Sequence, residues 1–114
     1  MRQAFAHDAL VAMEPDGDQR APGAAITTAL CGHWEHPPPC PLAPHHTAAE
    51  RTGTGDGADV RLRILFAADP ADEAEVRTRI DSALAAGTGW RLRTAGPGRV
   101  RENEAAHADE LIRA

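Results

Sequence analysis

"VRLRILFAADPADEAEVRTRIDSALAAGTGWRLRT", residues 60–94, decides the fold. In residues 60–67, Val60, Leu62, Ile64 and Phe66 point one way, and Arg61 and Arg63 the other. That period of two predicts a half-buried strand. The period then changes. Asp69 is a good helix cap, Pro70 suits the first helical position, and Asp72 and Glu73 favour the positive end of the helix dipole. Val76, Ile80, Ala83 and Leu84 form an apolar stripe on a helix over 70–86, which Gly87 closes. Residues 89–94 read as a further strand with Trp90 and Leu92 inward. A strand–helix–strand unit crosses over right-handed, so the spacing predicts two parallel strands.

Working outward, residues 102–113 suit a short C-terminal helix anchored by Leu111 and Ile112. On the N-terminal side, residues 25–36 read as a strand. Ile26, Thr28, Leu30 and Trp34 lie on one face; Cys31, His33 and Glu35 lie on the other. Pro37, Pro38 and Pro39 end its pairing, since proline donates no ladder hydrogen bond. Residues 2–13 place Phe5, Ala9 and Met13 at helical spacing, and "EPDGDQRAPG" at 14–23 then breaks the pattern. The expected organisation is a flexible segment at 1–24 with a short helix, then one α+β domain at 25–114 with a long Cys/His/Pro-rich loop at 37–58. The expected architecture is a small two-layer sandwich. It has a mixed three- or four-stranded sheet with helices on one face, ferredoxin-like in style.

The chain has 114 residues and a net charge of −5. Residues 1–59 hold three arginines and eight acids, and residues 60–114 hold nine of each. This balance argues against a nucleic-acid binder. No apolar run is long enough for a membrane span, and no basic and apolar leader pattern is present, so a cytoplasmic setting is expected. All twelve basic residues are arginine, which fits a GC-rich coding sequence and says little about chemistry. In such a setting the two cysteines are expected as thiols; a Cys31–Cys40 bridge requires an oxidising compartment.

"CGHWEHPPPCPLAPHH" at 31–46 holds six of the chain's eight Cys and His residues. Thiolate and imidazole are the donors that zinc favours, with copper or iron as other candidates. The expected ligand set is Cys31, His33, Cys40 and His45 or His46, with His36 spare. With three protein ligands, Glu35 would be the base of a metal-dependent hydrolase. His33-x-Glu35 and Pro39-Cys40 differ from the zinc deaminase pattern. Only three residues separate the two halves, and Ala43 stands where the last cysteine belongs. "GTGDG" at 53–57 precedes a strand, not a helix, so it reads as a linker and not a phosphate loop. His7 and His107 read as surface residues.

The leading expectation is a small zinc-binding protein whose metal has a structural or regulatory role, favoured over catalysis. The second is a metal-free interaction module using the open sheet face or the proline-rich loop. Arg61, Arg63, Arg91 and Arg93 belong on that face, where they would suit an anionic ligand. A protein partner fits this reading, and an exposed edge strand would allow a homodimer.

Overall fold

The computed structural model describes residues 1–32, 43–52 and 58–114. Four strands, β1 (Gln3–Met13), β2 (His45–Arg51), β3 (Asp59–Ala68) and β4 (Trp90–Gly98), form one sheet in the order β2-β3-β1-β4. Every neighbouring pair is antiparallel. Helices α1 (Ala21–Cys31), α2 (Glu73–Ala86) and α3 (Ala105–Arg113) complete a βαββαβ chain with a C-terminal helix. This is the ferredoxin-like α+β arrangement.

The unit at 60–94 folds as its pattern predicts. Asp69 accepts the Ala71 N–H, a 3-10 turn follows at Pro70–Asp72, and α2 runs to Ala86. The expected parallel pairing of β3 and β4 does not form. Both are antiparallel to β1, which lies between them, so they share a direction without touching.

β1 is the largest departure from the sequence reading. Residues 3–13 form a central strand where a short helix or flexible segment was expected. Phe5, Ala9 and Met13 are four apart, which satisfies a period of two as well as a helix. His7 and Val11 fill the alternate positions, and His7, Ala9, Val11 and Met13 are all buried. The second departure is α1, in place of the strand expected from residue 25. Ile26 and Leu30 are again four apart and both are buried. Pro22 in the first turn and Gly32, left-handed at φ 88°, were the start and stop signals. The third is β2, within the stretch expected as loop. It is a polar edge strand with little buried on either face, so it carries no hydrophobic alternation.

One sheet face carries the main core. Ile26 and Leu30 of α1, and Val76, Ile80 and Leu84 of α2, meet Val11, Val60, Leu62, Ile64 and Phe66. Each such side chain contributes roughly 1.5–3 kcal/mol by leaving water. The second face is not left bare, as one-sided helix packing implied. α3 covers one end of it, with Leu111 and Ile112 against Ala6, Leu65 and Ala67.

Gly87 ends α2 with φ −71° and ψ 161°, a conformation open to any residue. A Cβ there would nevertheless run into the indole ring of Trp90. Trp90 is 8% exposed and donates its Nε1–H to the Leu84 carbonyl at 2.9 Å. Gly87→Ala is therefore expected to cost about 1–3 kcal/mol through steric overlap alone. Urea unfolding would measure this, and near-ultraviolet circular dichroism would report the displaced indole.

Candidate functional site

The structure brings two of the expected metal ligands together, Cys31 and His45, and turns His46 away from them. Cys31 ends α1, is buried, and is disulfide-bonded, not a free thiol. A sulfur so committed is not the thiolate donor that zinc requires. His45 opens β2 on the same side of the sheet, with Nδ1 at 3.7 Å from the Cys31 sulfur. Both its ring nitrogens are occupied, however. Nδ1 lies 3.2 Å from the Ala43 carbonyl, which can only accept, so the proton sits on Nδ1. Nε2 then accepts from the Thr27 hydroxyl at 3.1 Å.

His46 points to the opposite sheet face. Its ring lies 4.7 Å from that of His107 on α3. Burial, and then the neighbouring His107, lower the His46 pKa from its ordinary value. Adjacent residues on a strand face opposite ways, so His45 and His46 cannot share an ion. His33, Glu35, His36 and Cys40 lie outside the described residues, as does the "GTGDG" stretch. Among the described residues, no group of three or more His, Cys, Asp and Glu side chains could hold a metal ion. The zinc reading, its copper and iron variants, and the hydrolase built on it are corrected accordingly.

A different polar cluster lies beneath α2, built around one buried histidine. His7, expected at the surface, is 1% exposed. Its Nε2 meets Asp81 Oδ1 at 2.7 Å and its Nδ1 meets Arg77 at 3.0 Å. Arg77 can only donate, so Nδ1 is the acceptor and Nε2 carries the proton toward Asp81. Arg77 also bonds the Ala6 carbonyl and Glu73. An Asp–His pair can serve a nucleophile, but here a guanidinium fills the nucleophile's place. The arrangement satisfies a buried imidazole and locks α2 onto β1.

The second sheet face is charged and partly open. Arg63 reaches both carboxylate oxygens of Asp8 at 3.1 Å. It also grips Glu104 at 2.7 and 3.1 Å. These bonds hold Glu104 down at about 2, chiefly through Arg63, and raise the Arg63 pKa further. Arg93 pairs with Asp59 at 2.8 Å. Arg61 and Arg91 are exposed and make no ion pair among the described residues. Arg61 overlooks a trough of about 490 Å³, which Leu10, Thr94, Gly96, Pro97 and Arg101 also line. Of the four arginines expected on this face, two are therefore neutralised by partners.

Among the described residues, no helix is long and apolar enough to cross a membrane. No protein-family model matches the chain, and no curated protein sequence matches it.

Proposed function

We propose that the chain is a metal-free interaction module that takes an acidic segment of a partner protein on the uncovered half of its second sheet face. The observation that carries this is a pair of exposed guanidiniums on one sheet face, Arg61 lining the trough opposite Leu10 and Arg91 opposite Ala12, in a chain whose net charge is −5. A guanidinium presents two parallel N–H groups to a carboxylate. The half-buried Leu10 and Ala12 between them offer apolar contact to the stem of a glutamate. Arg63 takes no part, because Asp8 and Glu104 already occupy its donors.

The test uses fluorescence anisotropy of a labelled octaglutamate peptide, with octaglutamine as the neutral control. Saturable binding that weakens with added salt is expected. The double variant Arg61→Ala/Arg91→Ala should weaken it about tenfold, roughly 1.4 kcal/mol. Arg79→Ala, on the exposed side of α2, should leave it unchanged. Equal losses in both variants would reduce the effect to general charge attraction and overturn the reading.

A further inference from the structure

The sheet has two edge strands, β2 and β4, and they are not equivalent. Directly opposed residues of an antiparallel pair alternate between those that exchange backbone hydrogen bonds and those that do not. Ala67 donates to the Pro44 carbonyl at 3.0 Å, and Thr52 donates to the Asp59 carbonyl at 2.9 Å. Both pairs continue the β2–β3 register, in which His45 faces Phe66 and Arg51 faces Val60. The even-numbered residues of β2 therefore bond to β3. Thr47 and Ala49 aim their N–H and C=O groups away from the sheet, and neither makes a backbone hydrogen bond among the described residues.

The β4 edge is less open to pairing. Glu14 donates to the Gly89 carbonyl at 2.9 Å, which turns Trp90 and Leu92 outward. Beyond a register shift opposite Leu10 and Val11, Ala95 and Pro97 point outward. Pro97 has no N–H to offer, and the shift breaks the line of donors. β2 has neither device along its seven residues.

We infer that β2 pairs antiparallel with β2 of a second copy of this chain, about a two-fold axis at Ala48. Outward groups must meet outward groups, which forbids a one-residue slip. With the axis at Ala48, Thr47 faces Ala49 as a bonded pair on either side of the axis. A slip of two residues would set Glu50 against Ala48 or Pro44 instead of His46. On the second face, Ala48 meets its own counterpart and His46 meets Glu50. No acid faces an acid, and no arginine faces an arginine. On the other face, a cleft of about 530 Å³ separates α1 from this edge, lined by Gln19, Gly23, Thr27, Thr47 and Ala49. Gly23 puts no side chain over Thr47, so α1 leaves room for a neighbouring strand. The product is one continuous eight-stranded sheet, and its two Arg61 troughs lie on the same face. The pairing stands independently of what that face binds.

Sedimentation equilibrium of the full chain, from about 10 µM to about 1 mM, should show a reversible dimer. Ala49→Pro removes an outward N–H and no bond to β3, so it should weaken association about tenfold while the circular dichroism of the fold persists. Glu50→Arg, which sets arginine against His46, should weaken it as well. Exchanging both, in His46→Glu/Glu50→Arg, should restore it. A wild-type chain that stays monomeric to about 1 mM, or a dimer indifferent to Ala49→Pro, would overturn the inference. If Ala49→Pro fails to fold, the charge exchange decides: restoration supports the pairing, and its failure removes it.

Discussion

Phe66→Ala is expected to lower the free energy of unfolding by about 4 kcal/mol. The ring is fully buried on β3, next to the middle of the sheet, and lies 5.4 Å from the Phe5 ring. Its loss leaves a cavity among side chains held by two helices and three strands, which cannot collapse freely. A second loss adds to the first. The Arg77 guanidinium sits 5.3 Å from the Phe66 ring centre and 5.9 Å from that of Phe5. That aromatic surface is what a partly desolvated cation packs on while it donates to His7 and to the Ala6 carbonyl. Removing the ring therefore loosens the group that fixes the His7 tautomer. A domain of this size has about 5–15 kcal/mol in total, so the variant should unfold early in urea. Phe66→Leu, which keeps apolar volume but no ring face, should fall between the variant and the wild type. If Phe66→Leu unfolds together with the wild type, the aromatic support of Arg77 contributes nothing measurable.

What could be read from the sequence follows from how local each signal is. α2 and β3 were legible because capping, dipole and periodicity agree within a few residues. β1 and α1 were not, because their apolar residues are four apart, a spacing that strand and helix share. Pro22 and Gly32 could have settled α1, and the run of odd-numbered apolar residues through Met13 could have settled β1. β2 had no core face to betray it. The second sheet face was partly legible. Alternation placed Arg61 and Arg63 there correctly, but Glu104, which neutralises Arg63, lies forty-one residues away. His7 and Asp81 are seventy-four residues apart, so no spacing rule joins them. The Cys/His cluster misled for the converse reason. Residues close in sequence need not be close in space: His45 faces α1 while its neighbour His46 faces α3.

Arg63→Met is expected to cost about 2–3 kcal/mol at neutral pH and progressively less in acid. The Arg63 side chain is 14% exposed, and it serves Glu104 at 17% and Asp8 at 45%. Methionine keeps the length of the stem but leaves two carboxylates facing each other without their cation. Glu104 suffers more, being less exposed and also bound to the Arg101 N–H at 2.8 Å. In the folded wild type it titrates at about 2, against 4.5 ordinarily, because Arg63 bonds its charged form. A carboxylate depressed in this way contributes stability that is fully present above its unfolded value and is lost as pH falls toward its folded one. The wild type should thus lose stability between about pH 4.5 and about pH 2, while the variant, already without the contribution, should lose little over that window. The two unfolding curves should converge on acidification. A gap that stays constant with pH would mean that Glu104 is not the group Arg63 stabilises. The same ion cluster fixes the turn at Glu102–Glu104 from which α3 starts. Amide hydrogen exchange along α3 should therefore quicken in Arg63→Met more than exchange along α2. Arg63 in this way divides the second face. Toward α3 it is spent on holding a helix down, and two positions along the strand Arg61 stays exposed, with no ion pair among the described residues.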